Sequence, residues 1–193
     1  MKLSRIALFA AAAGFLPSQA FAAPLGFRFT IEPVVGYERV EKIFPDRHFV
    51  SRFFYGVLVT GGIPLASLEA EYTRGRDDER FPDLGITQVD DLDRLKLGVR
   101  SRFDLTNFLW LVGRGGVQAT KLKTTRTEGG VTTATSFPIT YDPYAGAALQ
   151  VRLASTVRGE VGVTAVFKDF PRMEHNDYQV HAGFSIQLGS SPR

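Results

Sequence analysis

Residues 92–105, "LDRLKLGVRSRFDL", set Leu95, Leu97, Val99, Phe103 and Leu105 against Arg94, Lys96, Gly98, Arg100, Arg102 and Asp104. Alternate residues of an extended chain point to opposite faces, so this stretch is a strand with one apolar and one charged face. The pattern returns in seven other segments: 27–37, 49–60, 65–73, 108–122, 139–153, 156–167 and 178–188. The first sets Phe29, Ile31, Val35 and Tyr37 against Thr30, Glu32, Val34 and Gly36. The second is mixed, because Phe54 and Leu58 share a face with Arg52 and Gly56. After residue 22 no ten-residue stretch shows the 3.6-residue period of a helix, which predicts an all-β chain of eight strands.

The connections between these segments alternate in length. Three are tight: "GGIP" after the second strand, "DLTN" after the fourth and "AST" after the sixth. The other four, residues 38–48, 74–91, 121–138 and 168–177, are longer and polar. In an up-and-down barrel alternate connections lie at the same end, so every long loop falls on one rim. A transmembrane β-barrel has that asymmetry, with short turns on one side and long loops on the other.

The polar face separates a membrane barrel from a soluble one. Glu32, Arg52, Glu69, Glu71, Arg94, Arg100, Arg114, Arg152, Arg158 and Glu160 all lie mid-strand on that face. Gly36, Gly56, Gly98, Gly116, Gly146, Gly162 and Gly183 share it, and glycine is poor in strands unless something must approach closely. A narrow eight-stranded lumen supplies that need: small residues on its wall leave room for Arg and Glu to reach across and pair. A soluble barrel would put the same charges in water, but it gives no cause for the glycines, the one-sided loops or the aromatic strand ends. Those aromatics are Tyr37, Phe49, Tyr72, Phe103, Phe108, Trp110, Phe167 and Tyr178, with Trp110 also able to face inward.

Export is expected from the first residues. Lys2 and Arg5 precede an apolar core, Ile6 to Leu16, and "AFA" at 20–22 offers small residues for cleavage after Ala22. The expected organisation is a signal peptide, 1–22, followed by one barrel domain, 23–193. Without the signal the chain carries 21 basic and 20 acidic residues, so no nucleic-acid footprint is expected. There is no cysteine, and an exported chain without disulfides must draw its stability from the sheet and its solvent.

With these features the chain resembles the small eight-stranded OmpA/OmpX/OmpW-like outer-membrane β-barrels of Gram-negative bacteria, over its whole length after the signal. The last strand carries the most specific likeness. His181, Gly183, Ile186 and Leu188 follow the order polar, any, Gly, any, any, hydrophobic, any, hydrophobic that the barrel-assembly machinery reads in these proteins. Many members stop on Phe or Trp, whereas Leu188 here is followed by "GSSPR".

The resemblance implies a monomer in the outer membrane, in contact with its lipid and lipopolysaccharide, with four extracellular loops and a plugged polar lumen. Three functions are open: a structural or surface-interaction barrel, which could hold an extracellular ligand through its loops, a narrow OmpW-like channel, and a lipid A-modifying enzyme. The last fits least. The three histidines are scattered and no His-x-Ser pair occurs, so no catalytic residue, metal site or cofactor is expected.

Overall fold

The computed structural model of the protein describes residues 28–63, 65–168 and 176–188. The expected signal peptide and the "GSSPR" tail lie outside the described residues. Among the described residues nine strands form: β1 (Arg28–Lys42), β2 (His48–Ile63), β3 (Ala66–Phe81), β4 (Ile86–Asp104), β5 (Leu109–Glu128), β6 (Val131–Ser136), β7 (Thr140–Arg152), β8 (Val157–Val166) and β9 (Asp177–Leu188). Eight of them close a ring. β1 pairs with β2 and with β9, β4 pairs with β5, and β5 with β7, all antiparallel. A closed ring satisfies the backbone of every spanning strand and leaves no edge, which is what a hydrocarbon solvent demands.

The ring sorts the two faces of each strand. Phe29, Ile31, Val57, Leu68, Leu95, Leu97, Val99, Leu149, Val161, Val163, Phe184 and Ile186 point outward and are exposed. Such a belt in water would far exceed the apolar patch a soluble monomer shows. In a bilayer it is matched to its surroundings. Tyr37, Phe53, Tyr55, Tyr72, Tyr141 and Tyr178 mark one border of the belt, with Phe103 and Phe108 at the other. Trp110 takes the inward alternative and is buried.

The strands run further than their alternation predicts. β1 continues through Glu38 to Lys42, β3 to Phe81, and β4 begins at Ile86. The long connections expected at 38–48, 74–91 and 121–138 are therefore mostly paired hairpins standing on the rim. Two details explain them. A single 3₁₀ turn, Pro82–Leu84, ends on Gly85 at φ 62°, and a two-residue turn at Gly129–Gly130 has φ of 55° and 83°. Positive φ at both central positions is the turn that matches strand twist, and Gly-Gly adopts it without strain. It lets β6 fold back on the upper part of β5, from Val131 opposite Glu128 to Ser136 opposite Lys123. β6 thus stands outside the ring, a ninth strand that the sequence pattern does not predict. Its residues are exposed on both faces, so no apolar period marks it.

At the other rim the turns are tight. Leu105 and Thr106 amides donate to Leu109 O, and Thr106 Oγ1 accepts from the Leu109 amide at 3.0 Å.

Candidate functional site: the charged lumen

The inward face collects charge in the middle of the barrel. Five carboxylates (Glu32, Glu38, Glu69, Glu71, Glu160) and five cations (Arg52, Arg94, Lys96, Arg100, Arg114) are buried there. An isolated buried charge is costly, and four of the five carboxylates take ion pairs, whereas Glu32 Oε1 is buried without a hydrogen-bond partner.

They form three storeys. In the middle one, Arg114 Nε donates to Glu69 Oε1 at 3.0 Å and Arg114 Nη2 to Glu71 Oε2 at 2.7 Å. Lys96 Nζ donates to Glu71 Oε1 at 2.6 Å, and the Tyr144 hydroxyl donates to Glu69. The Tyr144 ring lies beneath both cations, 5.6 Å from the Arg114 guanidinium carbon and 5.9 Å from Lys96 Nζ. In the upper storey Glu38 accepts from Arg52 at 3.0 Å and from Arg94, and Gln179 Nε2 reaches its other oxygen at 3.4 Å. In the lower storey Arg100 pairs with Glu160, which Gln150 also approaches at 3.2 Å and His181 at 3.7 Å.

Glycines give these side chains their space, and the cause is steric. A Cβ at Gly162 would lie 2.7 Å from the His181 ring, and one at Gly183 would lie 2.5 Å from Glu32 Oε1. A Cβ at Gly98 would run into the Tyr144 hydroxyl and the Gly115 carbonyl. One part of the lumen is apolar: Val34, Phe54 and Leu58 pack together inside, so the mixed face of the second strand is the wall of a small internal core.

Of the ten residues singled out in the sequence, eight are buried in this lumen. Glu32 stands against Gly183, and Glu69, Glu71, Arg52, Arg94, Arg100, Arg114 and Glu160 take the contacts above. The other two differ. Arg152 is exposed and Arg158 half-buried, both at the rim of short turns, where each guanidinium lies over Trp110 at 5.2 and 5.0 Å. They sit below the last carboxylate storey because β7 and β8 meet their turn there. Sequence reasoning misses Glu38 and Tyr144. Glu38 falls in an expected loop, and a phenol on an aromatic-rich strand carries no signal of its inward neighbours. In the last strand His181 and Gly183 face the lumen and Ile186 faces outward, while the backbone of Leu188 pairs with Phe29.

Above the belt the lumen opens into a second cluster. Lys42 Nζ lies 2.5 Å from Asp77, 2.5 Å from Glu79 and 2.7 Å from Asp90. Three acids around one ammonium raise its affinity for the proton, although burial opposes this. His48 Nδ1 meets the Asp46 carbonyl at 2.7 Å and Nε2 meets Glu79 Oε1 at 2.9 Å. Both partners accept only, so the ring satisfies both when it carries two protons, and its pKa is raised by the carbonyl first and Glu79 second. Among the described residues no group of three or more His, Cys, Asp or Glu could hold a metal ion.

No protein-family model matches the chain, and no curated protein matches it in sequence. Solved structures do match it in fold. Neisserial surface protein A aligns with a TM-score of 0.62 at 10% identity, over 84% of this chain and 99% of that one. Ail, the attachment invasion locus protein of Yersinia pestis, in complex with the heparin analogue sucrose octasulfate, aligns with a TM-score of 0.58 at 12% identity, over 84% and 99%. A major outer membrane protein from Thermus thermophilus gives 0.57 at 10%, over 84% and 100%. Ring closure, the outward apolar belt and these alignments agree: the chain has the fold of the small eight-stranded outer-membrane β-barrels.

Proposed function

We propose that the protein is a monomeric, non-catalytic barrel of the outer membrane, closed along its axis by its own ion pairs and displaying its rim hairpins to the outside. One observation carries this: five carboxylates and five cations, buried and interleaved, fill the lumen of a ring that is only wide enough for side chains. An open channel would need mobile, hydrated charges. A hydrolase would need a nucleophile beside its base, whereas here His181 turns to Glu160 and Ser185 to Gln150.

Recognition, on this proposal, belongs to the hairpins. Arg74, Arg76, Lys121 and Lys123 are exposed above the aromatic border on the outer wall of β3 and β5. That is the level at which lipopolysaccharide presents its phosphates, and the cations complement them. Ail, similar in fold, is known in complex with the heparin analogue sucrose octasulfate, which makes an external polyanion the ligand class to test on these hairpins. The His181, Gly183, Ile186 and Leu188 pattern serves the assembly machinery, although Gly183 has a second reason to be glycine in the Glu32 carboxylate beside it.

Planar-bilayer recording tests the closed lumen. The folded protein should be electrically silent. Steady single-channel conductance that falls in R100E or R114E would overturn closure and favour the narrow channel. Fractionation tests the location: folded protein should co-purify with outer membranes, migrate differently on a denaturing gel before and after boiling, and begin at Ala23. A folded, soluble periplasmic pool would refute it.

A further inference from the structure

The rim of short turns holds a cluster of charge that the ion-pair storeys do not use. Trp110 projects into the lumen from β5, and three guanidinium carbons surround its ring: Arg102 of β4 at 5.1 Å, Arg152 of β7 at 5.2 Å and Arg158 of β8 at 5.0 Å. All three therefore lie within about twice that distance of one another. The β7–β8 register places Arg152 directly opposite Arg158, an arrangement of like charges that weakens a sheet. The electron-rich faces of one indole offset part of this repulsion. Asp104 lies 3.9 Å from Arg102, but its side chain is 75% exposed and its pull is damped by solvent.

Beside the cluster is a cavity of about 50 Å³, lined by Thr30, Glu32, Thr60, Ser67, Arg100 and Arg158 among others. Arg100 is 6% exposed, and its Nη1 is buried there without a hydrogen-bond partner. Its Nη2 is taken by Glu160. We propose that this mouth is a binding site for a phosphate-class oxyanion, held by the planar forks of Arg102, Arg152 and Arg158 over Trp110 and met from within by Arg100. A multiply charged tetrahedral anion suits several guanidinium forks at once, which a monovalent halide does not. Two sources share this chemistry: free phosphate, and the headgroup of an anionic phospholipid in the leaflet at this rim.

Trp110 is the only tryptophan of the chain, so its emission reports on this site alone. Full-length folded protein in a zwitterionic detergent is titrated with inorganic phosphate, against chloride at matched ionic strength. Phosphate should give a saturable change in emission and chloride none. R152Q and R158Q should each weaken the apparent affinity at least tenfold, while R126Q on the far hairpin should not. R152Q alters an exposed side chain, and its heat-dependent gel shift shows whether it has folded. Superimposable phosphate and chloride curves in the wild type would overturn the site, as would an R152Q/R158Q double variant that responds like wild type. Repeating the titration in nanodiscs with phosphatidylglycerol separates the sources. Emission already at its saturated value and deaf to phosphate identifies the headgroup; an undiminished response identifies the free ion.

Discussion

Replacing Arg114 with methionine removes the centre of the middle storey while keeping most of its volume. Its side chain is 0% exposed and holds Glu69 and Glu71 at 3.0 and 2.7 Å. In R114M the two acids fare differently. Glu71 keeps Lys96 at 2.6 Å, whereas Glu69 keeps the Tyr144 hydroxyl and loses its cation. Removing one partner of a buried ion pair typically costs ~3–5 kcal/mol, most of it the charge left behind. E69Q alone removes a charged hydrogen bond but leaves Arg114 on Glu71, a loss of roughly 1.5–3 kcal/mol. If the stranded Glu69 charge is the cause, E69Q/R114M must be more stable than the sum of the singles by about 1–3 kcal/mol. Urea unfolding of vesicle-inserted protein, followed by Trp110 emission and the gel shift, gives all four corners of the cycle. An R114M variant within about 1 kcal/mol of wild type would refute the reasoning, because a buried pair cannot be broken so cheaply. So would strict additivity of the double variant within ~0.5 kcal/mol, the scatter of uncoupled sites.

Other expectations can be checked on the same preparations. G98A should lose about 1–3 kcal/mol through overpacking against Tyr144 and the Gly115 backbone, while G113A, which meets nothing within 4 Å, should unfold like wild type. L97R puts a charge on the outward belt of β4 and should cost ~2–4 kcal/mol in phospholipid vesicles; a neutral effect would mean that Leu97 does not face lipid. His48 should titrate above its ordinary value by NMR and fall back toward it in E79Q, with the remaining elevation due to the Asp46 carbonyl. Because its folded pKa is raised, the His48–Glu79 contact contributes fully below the ordinary histidine value. The contribution is lost as pH rises through the raised one, so H48Q should loosen the β1–β2 hairpin from the β3 arm that carries Glu79 in acid and do little at alkaline pH.

Much of the fold was legible because lipid and lumen impose a two-residue period on each spanning strand. Leu95, Leu97 and Val99 against Arg94, Lys96 and Gly98 can be sorted without coordinates, and the glycine stripe announces a crowded inner wall. Legibility stops where the bilayer stops. Above Tyr37 both faces of β1 meet water or polar neighbours, so Glu38, Arg39, Glu41 and Lys42 lose the alternation even though the strand continues. For the same reason the paired arms of β3, β4 and β5 read as loops, and β6 as nothing at all.

Sequence alone determined the eight ring strands, their inward and outward faces and the residue types that line the lumen. All of that follows from local geometry, since successive side chains of a strand alternate whatever the rest of the chain does. Tertiary structure alone decided who meets whom. Arg114 and Glu69 are 45 residues apart on strands that are not neighbours, and Arg100 and Glu160 are 60 apart. Those distances close only across a ring, at heights set by strand stagger, which no single segment encodes. The same stagger dropped Arg152 and Arg158 below the last carboxylate and set them around Trp110, turning two expected members of the ion-pair network into the rim of a different site.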